Sequence, residues 1–360
     1  MSKQHEEYYK PLITECLLPE LFPAVNLYMK GRGGNYILYK TAEFVLSQAD
    51  LERLVRNDTK YLYVRTGDVG SVTAYLESHL TEFLNSNDLS THAKSVILQQ
   101  TSIEYVHEIL GPGQASAEYD LDRCKSLLKN LMDYAVSADS LLDLLKAISS
   151  GSLYILAHSV QVAILSMLVH DKLYQIDADE MLSVGTGGLF HDIGMTFLSR
   201  DLLDHPDALS DIAYKTIQLH PSMGHEFLEK TGQFDEIVLT IVKHHHERWD
   251  GSGYPGRLEG NNITRSAQVA ALCDIYCALT NKRTYRKAST HDEAIEILAS
   301  DVERNFNPEM FEDFKSIVGG EPAKETEEAK TVREEDDEQC PNAENILLST
   351  KRTKAGRAET

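Results

Sequence analysis

Nine of the fourteen histidines lie between residues 158 and 246: His158, His170, His191, His205, His220, His225, His244, His245 and His246. A lone His on a helix is ordinarily a core or surface residue; a cluster this dense asks for another account. His191 is followed at once by Asp192, after the apolar run GGLF. His244, His245 and His246 follow the apolar run IVLTIVK and precede a Gly-rich turn, DGSGYPG. Imidazole nitrogens together with carboxylate oxygens suit first-row ions such as Mn, Fe, Co, Ni or Zn. No thiolate pair accompanies them, which disfavours a structural zinc knot. A carboxylate can bridge two ions. With Asp192 as bridge, five His and one further Asp could serve two metals and leave positions for water. Two metals about 3.5–4 Å apart are a recurrent device for hydrolysing phosphodiesters.

The motifs HDIG at 191–194, HHERWDGSGYP at 245–255 and DIYCALTNKRTYR at 274–286 are long and ordered. On them, the stretch from about His158 to Phe314 resembles the HD-GYP domain, a branch of the HD phosphohydrolases. The resemblance implies an all-helical domain with a His/Asp centre for two divalent ions, iron or manganese. It implies hydrolysis of cyclic di-GMP to linear pGpG, and onward to GMP, in bacterial second-messenger signalling. Carried over position by position, the metal ligands are His158, His191, Asp192, His220, His245, His246 and Asp274, with Asp192 as the catalytic bridge. Arg283 and Arg286 match positions whose cations hold substrate phosphates, and Arg independently suits phosphate. Tyr254, in the GYP loop, is expected to shape the substrate groove or a surface for GGDEF-type cyclases and other signalling partners. The residues preceding the domain resemble, more weakly, the module common ahead of such domains.

Three positions depart from the family pattern. HDIGK has become HDIGM, so Met195 stands where a Lys would contact phosphate, and reduced turnover is expected. A Glu four residues before the first His, which goes with a third metal, is here Tyr154. The D-x-x-D pattern is Asp274-x-x-Cys277, with Cys277 read as helix packing. The alternative readings are a catalytically weak cyclic-dinucleotide receptor or scaffold, and a cyclic GMP-AMP phosphodiesterase. Among the remaining histidines, His170, His205 and His225 are expected at the surface or next to ligands. Trp249 is expected either to anchor the loop or to stack on a guanine.

The elements that must hold these residues read as an α+β chain. Residues 1–118 form a small regulatory or sensory α/β module, 119–320 the all-helical HD-GYP domain, and 321–360 a charged disordered tail. Within the module, Asn35–Tyr39 and Tyr61–Arg65 read as strands and Gln48–Arg56 as a helix. A longer helical stretch runs over 71–110 with a break near 86–90. The five Tyr before residue 40 read as core and surface aromatics. GPGQASA at 111–117 reads as a junction. Thr290 with Glu293 predicts a capped helix through about Ala299. Asn307 followed by Pro308 predicts a helix through about Ile317.

The chain has 360 residues and a formal net charge of −21. That charge argues against a polymeric nucleic acid or an anionic membrane as partner, because long-range attraction to phosphate would have the wrong sign. One small phosphorylated ligand in a locally basic pocket is compatible with it. Five cysteines without a CxxC disfavour a disulfide framework and fit a reducing cytoplasm. The longest apolar stretch, Leu153 to Val169, includes His158, Ser159 and Gln161 and reads as a buried helix rather than a membrane span. A homodimer is compatible with a regulatory N-terminal module.

Overall fold

The structure is a computed structural model and describes residues 9–31, 34–110, 118–137, 141–149, 154–199, 202, 210–281 and 287–319. The chain divides into two compact units, Met1–Glu104 and Tyr105–Thr360. The junction GPGQASA and the charged tail, on which two expectations rested, lie outside the described residues.

The first unit holds four antiparallel strands, β1 (Tyr9–Ile13), β2 (Leu27–Lys30), β3 (Tyr36–Lys40) and β4 (Tyr61–Arg65), in the order β1-β4-β2-β3. The predicted strand over 61–65 is β4, and the one over 35–39 is β3 shifted by one residue. β1 and β2 are not apparent from sequence. β1 is an edge strand carrying Pro11, and an edge is where a missing N–H is tolerated in a sheet. β2 has only four residues and ends in Lys30. Tyr9, Tyr28, Tyr36 and Tyr63 pack ring to ring, so these aromatics serve the sheet. Helix α1 (Gln48–Arg56) starts at a capping box of Ser47 and Asp50. Lys40 reaches Asp50 at 2.8 Å and ties β3 to α1. The predicted long helical stretch is α2 (Val69–Ser78), α3 (Leu80–Asn85) and α4 (Thr91–Leu110), with the break at 86–90 as expected and a second at His79.

The second unit is helical among the described residues. Its helices are α5 (Leu121–Ser137), α6 (Leu141–Ser149), α7 (Tyr154–Tyr174), α8 (Ala178–Phe190), α9 (Asp211–Ile217), α10 (His220–Thr231), α11 (Glu236–His244), α12 (Arg265–Thr280), α13 (His291–Ser300), α14 (Val302–Asn305) and α15 (Pro308–Val318). α7 is the central one: Val160, Val162, Ala163, Ile164, Leu165, Met167 and Val169 are all fully buried, so it is apolar all round. No helix among the described residues is long and apolar enough to cross a membrane. α12, α13 and α15 close over α7 through Leu272, Tyr276, Leu298, Phe311 and Phe314. The two helix starts predicted near the C-terminal end are as expected: Thr290 and Glu293 cap α13 reciprocally, and Asn307 caps α15 ahead of Pro308. Cys16, Cys124, Cys273 and Cys277 are buried free thiols, and Cys277 packs in the core as expected.

Candidate metal centre

Five helices bring their ends or middles to one place. α7 contributes His158 from its body. α8 stops at Phe190, and His191 and Asp192 follow it directly. His220 opens α10, where Pro221 can occupy the first turn because it needs no N–H there. α11 ends at His244, and His245 and His246 follow. Asp274 lies midway along α12. The close approach of α7 and α8 depends on Gly188: a Cβ there would lie 2.6 Å from the Cα of Ala163. Gly194 sets the second approach. A Cβ at that position would fall on the carbonyl oxygen of His220, so only Gly lets the turn after Asp192 lie against the start of α10.

Backbone carbonyls orient three of the imidazoles. His191 Nδ1 lies 2.8 Å from the carbonyl of Gly188, His220 Nδ1 2.8 Å from that of Ile217, and His245 Nδ1 3.0 Å from that of Val242. A carbonyl only accepts, so each Nδ1 carries a proton, and in the neutral ring Nε2 is left as the acceptor. These Nε2 atoms converge. His220 Nε2 and His245 Nε2 are 3.3 Å apart, and neither can donate to the other. Both face Asp192 Oδ1, at 3.2 and 3.9 Å. His191 Nε2 lies 3.3 Å from the other oxygen, Asp192 Oδ2, and makes no hydrogen bond although buried. His158 Nε2 pairs with Asp274 Oδ1 at 3.0 Å. With the rings neutral, acceptors face acceptors in a buried site, an arrangement that a shared proton or a metal cation between them relieves.

Two groups of donor atoms result, Asp192 with His220, His245 and His246, and Asp192 with His158 and His191. In each, the donor atoms lie within 4.8 Å of one another, and Asp192 belongs to both. The donor set, all imidazole nitrogen and carboxylate oxygen, fits first-row divalent ions.

At His245, His246, Asp192 and Asp274 the electrostatics agree with ligand chemistry, which needs neutral imidazoles and ionised carboxylates. Burial, reinforced by neighbouring histidines, holds His245 and His246 well below the usual imidazole range. Burial alone would raise Asp192, but His191 and His220 outweigh it and hold that carboxyl well below its ordinary value. The same contest at Asp274, won by His158, leaves it at about 2. Burial opposes charge on His191, yet Asp192 and Asp274 raise it to about 9. His191 is thus the exception: without a metal it favours a second proton, which a bound cation would have to displace.

All seven predicted ligands sit in the cluster; Asp274 enters through His158 rather than through either donor group. Tyr254 lies against the cluster, its ring stacked on His246 at 4.8 Å and 27°. Arg283 and Arg286 lie outside the described residues, as does His205. His244 belongs to neither group. His170 corrects an expectation: it is fully buried and lies 3.4 Å from Glu180. Twelve positions beyond His158 on α7, it is about 18 Å away along the axis, so it is a core residue and not a neighbour of the centre.

Two residues of the site were not singled out from sequence. Glu247 is 1% exposed, and its carboxylate accepts from the main-chain N–H groups of Gly256 and Leu258 at 2.6 and 3.0 Å, which folds the GYP loop back beside the histidines. The loop is also tied through the Trp249 main chain to Asn305 and Gly260. Arg248, next in the chain, is half-buried and acts electrostatically on His246.

Residues 156–310 match the HD domain family. A cyclic di-GMP phosphodiesterase of Pseudomonas aeruginosa is 33% identical over 50% of this chain and 43% of its own length. A 3'3'-cGAMP-specific phosphodiesterase of Vibrio cholerae is 30% identical over 48% of this chain and 37% of its own. The chain thus spans less than half the length of these curated relatives. Among solved structures, an HDG"Y"P protein from Bdellovibrio bacteriovorus shares the fold over 87% of this chain and all of its own, with a TM-score of 0.60 at 19% identity.

Proposed function

We propose that the chain, whose residues 156–310 match the HD domain family, is of the HD-GYP branch and hydrolyses a phosphodiester bond of a cyclic dinucleotide, cyclic di-GMP first, to the linear dinucleotide. The observation that carries this reading is the position of Asp192, common to two converging sets of imidazoles. Divalent ions held there would supply Lewis acidity and a nucleophile at neutral pH. Iron or manganese, as two ions, is the cofactor we propose.

The chain's own residues do the rest. Asp192 spans the two sets, with Oδ1 toward His220 and Oδ2 toward His191. The carbonyls of Gly188, Ile217 and Val242 hold the Nδ1 protons, so each ring presents Nε2 to the centre. Tyr254 walls the centre on the side of His246, where a base or ribose can rest. Arg283 and Arg286 are the proposed phosphate holders, and Met195 is the proposed reason for slow turnover. Water adds to phosphorus, the bond to one ribose oxygen breaks, and that oxygen leaves with a proton. Residues 1–118 we read as a module that tunes this activity.

The test is product chromatography on the full chain supplied with Mn or Fe, using cyclic di-GMP and 3'3'-cGAMP in parallel. Metal-dependent appearance of pGpG is expected. Cleavage of 3'3'-cGAMP alone changes the substrate. Tight binding of either with full metal content and no product makes the protein a receptor.

A further inference from the structure

Resting on the reading just given, we propose that Arg248 is a phosphate-binding residue of this site, holding a phosphoryl oxygen of the cyclic dinucleotide beside His246. Three observations lead to it. First, its guanidinium is half-buried, and its nearest described contacts are main-chain carbonyls: Nη1 donates to Glu247 O at 2.9 Å and lies 3.5 Å from His245 O. The carboxylate next in sequence, Glu247, is committed to the main-chain N–H groups of Gly256 and Leu258. A planar guanidinium has five N–H donors, so most of its donating capacity is left for a ligand. Second, it sits beside the centre. It follows His246 by two residues, its Nη1 reaches back to the carbonyl of His245, and the carbonyl of His246 accepts from the main-chain N–H of Tyr254, whose ring covers that imidazole. Third, the substrate is dianionic, the chain carries a net charge of −21, and Met195, after the HDIG turn, offers no donor, so a cation beyond the proposed Arg283 and Arg286 has a place to act. Arg meets phosphate with two parallel hydrogen bonds, which a point charge cannot do. The same anchoring by Glu247 O fixes the fork before the ligand arrives, which lowers the entropy lost on binding.

A structural role for Arg248, merely holding the turn from His245 to Glu247, makes different predictions. The experiment compares Arg248→Gln and Arg248→Lys with the native full chain loaded with Mn. It measures metal content, thermal melting, and affinity for cyclic di-GMP and for pGpG. Expected in the Gln variant is unchanged metal content and melting with dinucleotide affinity reduced roughly ten- to hundredfold, the range for a hydrogen bond to a charged group. The Lys variant should recover much of that affinity, since charge is kept and only the fork is lost. Native affinity in the Gln variant at full metal content overturns the inference and leaves the proposed function standing. Metal loss in both variants also overturns it, in favour of the structural role. If the loaded native chain neither binds nor cleaves any cyclic dinucleotide, the reading beneath it fails instead.

Discussion

Asp192 is the residue on which both donor groups depend, because each of its oxygens faces a different set of imidazoles. Asp192→Ala should therefore empty the centre of metal and abolish hydrolysis, while far-UV circular dichroism stays native, because the helices pack without that carboxylate. Retention of full metal content would remove the shared role. Gly194 makes a second, less obvious prediction. Gly194→Ala places a methyl group on the carbonyl of His220, whose Nε2 must stay aimed at Asp192. Overpacking of this kind costs about 1–3 kcal/mol, and here it should also reduce metal content, read by elemental analysis. At this scale much was legible: the ligand types and their order along the chain stand in the sequence. The tautomers were not, because they depend on carbonyls that only the folded helix ends present. Glu247 and Arg248 were passed over for the same reason. A charged residue in a loop motif reads as solvated until its burial and its partners are seen.

Helix starts were legible because capping is local chemistry. Thr290 and Glu293 predicted α13, and the reciprocal bonds are present. Thr290→Ala should lower stability by about 1 kcal/mol in chemical denaturation without changing metal content. The strands were harder. β1 hides a Pro at a sheet edge and β2 is very short, so pairing partners rather than pattern define them. The tie between β3 and α1 makes an element-scale prediction with a definite sign. Asp50, hydrogen-bonded by Lys40, is lowered from 3.8 to about 2. Its contribution is present above pH about 3.8 and is lost as pH falls through about 2, where the folded form must protonate. Asp50→Asn should therefore flatten the loss of stability of the first unit between pH 5 and 2, followed by urea unfolding. An unchanged slope would mean the pair contributes nothing there. Helix proximity is the element-scale property that sequence conceals: GGLF names Gly188, but only the fold places Ala163 against it.

Across the molecule, every residue of the cluster belongs to the unit that begins at Tyr105. A chain cut to residues 105–319 should bind as much metal as the full chain. If it folds and binds none, the first unit contributes to the centre. What the module does to rate is a separate question, answered by comparing the same two chains in turnover. The acidic whole also has a consequence for substrate capture. With a net charge of −21, encounter with a dianion is opposed at long range, so dinucleotide association should quicken as salt screens the repulsion.

The central claim joins a two-set metal centre to cleavage of a cyclic dinucleotide. It is tested most directly by titrating Mn into metal-free full chain and measuring pGpG released from cyclic di-GMP at each bound-metal ratio. The account predicts no product without metal and product rising with occupancy, and neither binding nor product in Asp192→Ala. Product formed without metal, or a fully loaded native chain that cleaves no cyclic dinucleotide, would contradict it.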